Sequence, residues 1–109
     1  MLISTEIASF RRKLGDDKSV IRLLKNAGFT AYDYSMITYG ENGPSVLDAN
    51  DYETYARELR KYADGIGISC NQAHAPYPMW GIPRTEASDR LYYAMICRAI
   101  EISGILGEN

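Results

Sequence analysis

His74 is the only histidine of the chain. It stands at the mouth of a short strand-like stretch, Gly65-Ile66-Gly67-Ile68-Ser69-Cys70-Asn71-Gln72-Ala73-His74-Ala75-Pro76-Tyr77-Pro78, with a helical segment on either side. In a βα unit the residue just past the strand's carboxyl end lies where parallel α/β folds place their chemistry. An imidazole there can ligate a metal, or it can move a proton near neutral pH. The alternative is a structural histidine bonded to a loop carbonyl. One histidine cannot hold a catalytic metal by itself, since such sites use three or more protein ligands.

Other side chains fall at comparable places. Glu6 ends the first strand-like segment and is a candidate hydrogen-bond acceptor for a substrate, with a surface carboxylate as the alternative. Asp33 interrupts an otherwise apolar second segment. It reads as a tie between strands or loops rather than a catalytic group, because a buried charge needs a partner. Tyr77, Met79 and Trp80 follow His74 in the next loop, where aromatic walls can stack on a ligand and exclude water. Trp80 packed down on the rim is the competing reading. Arg11-Arg12-Lys13 lies in the first βα loop and could meet a phosphate, but a solvated charge run is the better account. Cys70 and Cys97 lack metal-ligand spacing and read as reduced, buried small hydrophobes.

The elements that would position these residues are three strand–helix units. Leu2 to Ala8 reads as a short strand and Ser9 to Gly15 as a loop. Asp16 or Asp17 can cap a helix whose apolar stripe is Val20, Leu23, Leu24 and Ala27, with Gly28 as its stop. Phe29 to Met36 returns to strand, and Gly40, Gly43 and Pro44 punctuate a longer loop. Asn50 with Glu53 has the spacing of a capping box. Tyr52, Tyr55, Ala56, Leu59, Tyr62 and Ala63 then form one helical stripe, ended by Gly65 and Gly67. After a loop from Ala75 to Arg84, Thr85 or Ser88 can cap a third helix. Its stripe is Leu91, Tyr92, Met95, Ile96, Ala99, Ile100 and Ile102, closed by Gly104 and Gly107. This alternation predicts an α/β fold with parallel strands.

At 109 residues, 46% of them apolar and 24% charged, the chain is one domain with an ordinary globular balance. No apolar run reaches the roughly 20 residues of a membrane helix. The start lacks the basic and apolar regions of a signal peptide. A cytoplasmic protein without membrane partners is the expectation. The net charge of −2 and the lack of a basic stripe along any helix count against nucleic acid as the main partner.

The stretch from Gly65 to Gly107 resembles the xylose-isomerase-like superfamily of TIM barrels, the sugar phosphate isomerase/epimerase and apurinic endonuclease group. The matching pieces are the strand ending in Ala73-His74-Ala75-Pro76-Tyr77, a polar loop through Ser88-Asp89-Arg90, and the helix ending Ala99-Ile100-Glu101-Ile102-Ser103-Gly104-Ile105-Leu106-Gly107. Ala27-Gly28-Phe29-Thr30-Ala31-Tyr32-Asp33 looks like the family's second strand, which often carries an acidic residue at the Asp33 position. The resemblance implies that residues 1–109 are the first three βα units of a (β/α)8 barrel, one partial-barrel domain stopping where a fourth strand is expected.

The implied activity is isomerisation or epimerisation of a sugar or sugar phosphate, with proton abstraction beside a carbonyl. A divalent metal (Mn, Mg, Co or Zn) would be held mainly by groups on later strands. Of the present residues, the resemblance casts His74 as catalytic or as at most one metal ligand, and position makes Glu6, Tyr77 and Trp80 the substrate-binding candidates. An apurinic-endonuclease-like phosphodiesterase is the alternative, and the acidic balance and single histidine weigh against it. An inert, truncated or self-associating fragment is a third reading. By itself the chain is expected to bind no metal tightly and to turn over no sugar. Three units cut from a barrel would leave open strand edges and an apolar inner face, so a homo-oligomer joined through residues such as Ile3, Ile68 or Ile105 is expected.

Overall fold

The computed structural model describes residues 3–36, 46–76 and 83–107. Strands β1 (Ser4–Glu6), β2 (Ala31–Ser35) and β3 (Ser69–His74) form one parallel sheet in the order β1-β2-β3. Helices α1 (Ala8–Leu14) and α2 (Asp17–Asn26) join the first two strands. A 3-10 turn at Val46–Asp48 and helix α3 (Tyr52–Ile66) precede β3, and α4 (Glu86–Leu106) follows it. The fold is therefore α/β, and it follows the alternation read from the sequence.

Helix α1 replaces the loop expected over Ser9 to Gly15. It is too short to show apolar periodicity, and its ends stabilise it. Glu6 accepts from the first free amides, while Arg11, Arg12 and Lys13 fill the last turn, where the helix dipole favours cations. In α2 the first of the paired aspartates is the cap: Asp16 accepts from the Ser19 amide at 2.9 Å. The second, Asp17, is buried. The stripe facing the core is Val20, Ile21 and Leu24, whereas Leu23 and Ala27 are exposed.

The capping box expected at Asn50 and Glu53 does not form, and Asp51 precedes α3 without a side-chain cap. Helix α4 does begin with a reciprocal box between Thr85 and Ser88, so Ser88-Asp89-Arg90 belongs to the start of the helix rather than to a loop. Both long helices run through the first glycine of their terminal pair and stop at the second. Gly67 (φ 80°) and Gly107 (φ 92°) hold the left-handed conformation that ends each helix, and their amides return to carbonyls of the last turn.

One face of the sheet is covered by helices. Tyr32 and Tyr34 of β2 point into this core with Val20, Ile21, Leu24, Ala56, Leu59, Met95, Ala99 and Ile102. The other face is polar rather than apolar, because strand alternation places Ser4, Glu6, Asp33, Gln72 and His74 there. Ser4 Oγ donates to Asn71 Oδ1 across it at 2.8 Å. The expectation of an apolar inner face fails on this point. Ile68, named above as an interface residue, is 3% exposed within the core, and Ile105 packs half-buried against the same cluster.

Candidate functional site

Regular parallel pairing would not bring His74 to this polar face. Tyr32 pairs with Cys70, and the next pair is Asp33 with Gln72, so Asn71 is an extra residue in β3. Paired residues of a sheet share a face, and a one-residue shift exchanges the faces. Without the bulge His74 would point with Tyr32 and Tyr34 into the helices. With it, His74 pairs with Ser35 and lies on the side of Asp33.

His74 Nδ1 is 3.0 Å from Asp33 Oδ1, and His74 Nε2 is 3.3 Å from Gln72 Nε2. An ionised carboxylate only accepts, and an amide nitrogen only donates. The neutral ring consistent with both contacts carries its proton on Nδ1 and donates it to Asp33, leaving the Nε2 lone pair toward Gln72 and solvent. The imidazole is 42% exposed and the Asp33 side chain 16%. The oriented nitrogen is thus accessible and its partner is sheltered. Asp33 acts as the expected tie between strands, and its tie is to the histidine. Gln72 was not singled out from the sequence, because nothing local signals a partner two residues away on a bulged strand.

Glu6 is the β1 neighbour of Asp33, two strands from His74, or about 10 Å by ordinary strand spacing. Its carboxylate turns to the start of α1. Oε2 accepts from the Ala8 amide at 2.6 Å, and Oε1 accepts from Ser9 Oγ at 2.6 Å. Burial pushes the Glu6 carboxyl up. The bonds from Ser9 and from the Ala8 and Ser9 amides, with the nearby Arg11 charge, outweigh burial and hold it below the ordinary glutamate value. Tyr77, Met79 and Trp80 lie outside the described residues.

The Arg11-Arg12-Lys13 run is not uniformly solvated. Arg11 is half-buried, with Nε 2.6 Å from Asp17 Oδ1 and its guanidinium 5.3 Å from the Tyr34 ring centre. Asp17 also accepts from the hydroxyls of Tyr34 at 2.8 Å and Tyr55 at 2.5 Å. This buried hub was missed because an aspartate at a helix start reads first as a cap. A shallow groove of about 460 Å³ lies between α3 and α4, lined by Arg57, Arg60, Lys61, Asp64, Gly104 and Ile105. These residues flank the turn that leads into β3, at the far end of that strand from His74. Arg60 there donates to the Ile105 carbonyl, a helix-end contact.

Among the described residues no three histidine, cysteine, aspartate or glutamate side chains converge as a metal cage. The single imidazole is oriented by one carboxylate, and the Glu6 carboxylate is taken up by the start of α1. This donor set does not by itself fit a divalent metal. No helix among the described residues is long and apolar enough to cross a membrane. Compared with protein-family models, curated proteins and solved structures, the chain gives no significant match in any of the three.

Proposed function

We propose that His74, oriented by Asp33, is the proton-transfer group of a sugar or sugar phosphate isomerase or epimerase, and that these units are the opening part of its (β/α)8 barrel. The observation that carries the reading is the Asp33–His74 bond at the carboxyl ends of adjacent parallel strands, with the ring exposed on a polar sheet face. Parallel α/β folds assemble their sites at this edge.

The chemistry follows from the tautomer. With Nδ1–H donated to Asp33, Nε2 can accept a proton from carbon beside a substrate carbonyl, or from a hydroxyl next to it. The Asp33 carboxylate stabilises the imidazolium that forms. Gln72 rests on Nε2 at a long 3.3 Å, so a substrate group can displace it at little cost. The amide is then free to bond a neighbouring hydroxyl. The divalent metal that the resemblance implies needs ligands from outside the described residues, and no step is assigned to it. Turnover likewise requires groups that the described residues do not supply, so substrate binding at His74 is the property to test.

A single histidine makes the test direct, because its ring resonances need no assignment. Triose, pentose and hexose phosphates, with the corresponding free sugars, are titrated into the chain while the His74 ring signals are followed. A saturable shift with at least one of them, lost in Asp33→Asn, is expected. Ring signals unmoved by every member of the panel would refute the reading.

A further inference from the structure

The peptide between Ser35 and Met36, at the carboxyl end of β2, is bonded at both of its polar ends. Its carbonyl accepts from Arg11 Nη1 at 3.0 Å. Its amide donates to the His74 carbonyl at 2.8 Å. A peptide unit is planar and rigid, so its two ends cannot move independently. Arg11 and the main chain of His74 are therefore joined through one stiff group. The His74 ring then bonds Asp33, two residues earlier on the same strand.

Arg11 is itself held from behind. Its Nε bonds Asp17, and Asp17, 3% exposed, is fixed by Tyr34 of β2 and Tyr55 of α3. The planar guanidinium spans Asp17 and the Ser35 carbonyl with two donors in fixed relation, a geometry that an ammonium cannot copy. We infer that Arg11, anchored by Asp17, is a positioning residue for His74, acting through the Ser35–Met36 peptide without touching the imidazole. Its importance for activity rests on the reading of His74 as the working group, but the coupling itself needs no substrate.

The test reads the ring nitrogens of His74 by 15N NMR at alkaline pH, in the range where the ring signals no longer change with pH. Asp33→Asn sets the scale for a ring released from its carboxylate. Arg11→Met is expected to move the ring signals at least half of that distance, and Arg11→Lys, which keeps the charge but not the fork, to fall between Arg11→Met and wild type. Leu59→Ala, a core truncation in α3 that removes no hydrogen bond, controls for general loosening and should leave the signals in place. Wild-type signals in folded Arg11→Met, full restoration by Arg11→Lys, or an equal shift in Leu59→Ala would each overturn the proposal. Should Arg11→Met not fold, Arg11→Lys must still differ from wild type by more than Leu59→Ala does. Because no sugar is present, failure here is distinct from failure of the substrate titration.

Discussion

His74 faces Asp33 because β3 carries one residue more than regular pairing with β2 requires. Asn71 is the surplus residue, and the alternation of the strand beyond it is inverted relative to β2. This yields a prediction that distinguishes two deletions in the same strand. Removing Asn71 closes the bulge and keeps Gln72 opposite Asp33, so the His74 ring stays bonded to the carboxylate. Removing Ala73 brings His74 opposite Tyr34 and turns the imidazole into the helix-covered core. The 15N signature of an Asp33-bonded ring should survive the first deletion and vanish in the second. Its survival in both would show that register does not orient His74.

Two tyrosines on the same face of β2 should respond oppositely to loss of their hydroxyls. Tyr34 donates to buried Asp17, and a hydrogen bond to a charged group contributes about 1.5–3 kcal/mol. The Tyr32 hydroxyl is buried without a hydrogen-bond partner among the described residues, and burial raises its pKa far above the ordinary tyrosine value. Replacing an unsatisfied polar group by an apolar one of the same shape is neutral or stabilising by up to about 1 kcal/mol. In urea unfolding, Tyr34→Phe should therefore lower stability and Tyr32→Phe should not. Equal losses from the two would contradict the pairing described for Asp17.

Stability at acid pH should report the capping role of Glu6. A carboxyl whose pKa is lower in the folded state than in the unfolded state stabilises the fold above the unfolded value. That contribution is lost as pH falls through the folded value. Glu6 is held below its ordinary 4.5, so its contribution should be present at neutral pH and fade below about pH 4.5. Asp16, lowered by its bonds from Ser19, titrates in the same acidic window. The prediction is that Glu6→Gln makes the fall in urea midpoint between about pH 5 and pH 3 shallower without abolishing it. A variant with the wild-type slope would remove Glu6 from the cap.

The elements were legible wherever pattern and punctuation agreed. The alternation of strands and helices, the Thr85–Ser88 start and the tyrosine-bearing stripe of α3 could all be read from spacing. The helix ends shifted because Gly65 and Gly104 are also acceptable inside a helix, and only the backbone decides which glycine of a pair turns left-handed. Helix α1 was hidden because its stabilisation comes from Glu6, which precedes it, rather than from an apolar face. At the site, His74 and Asp33 were each visible as chemistry, but their bond was not. It depends on a single surplus residue, and Asn71 has no sequence mark that separates a bulge from ordinary strand. The polar sheet face was obscured for a related reason. Tyr32 and Tyr34 flank Asp33, and a tyrosine serves equally on a wet or a dry side.

Self-association should be driven by α4 rather than by the sheet. The polar face of the sheet offers little apolar area, and Ile68 is enclosed in the core. Helix α4, by contrast, is apolar on two sides. Met95, Ala99, Ile102 and Leu106 are buried, while Tyr93 is 72% and Ile100 66% exposed on the opposite side, with Ile96 and Cys97 between them partly exposed. These four positions are spaced symmetrically about the bond between Ile96 and Cys97. An antiparallel copy can therefore set Tyr93 against Ile100 and Ile96 against Cys97, as a two-fold contact requires. Burying about 200 Å² on each copy at about 25 cal/mol per Å² gives about 10 kcal/mol before the entropy of association, which offsets much of it and leaves the range of a weak dimer. Sedimentation over a concentration series should show reversible dimerisation. Ile100→Lys should weaken it at least about tenfold, equivalent to 1.4 kcal/mol, and Ile3→Lys at the edge of the sheet much less. A folded monomer at the highest soluble concentration, or a dimer indifferent to Ile100→Lys, would rule out this contact.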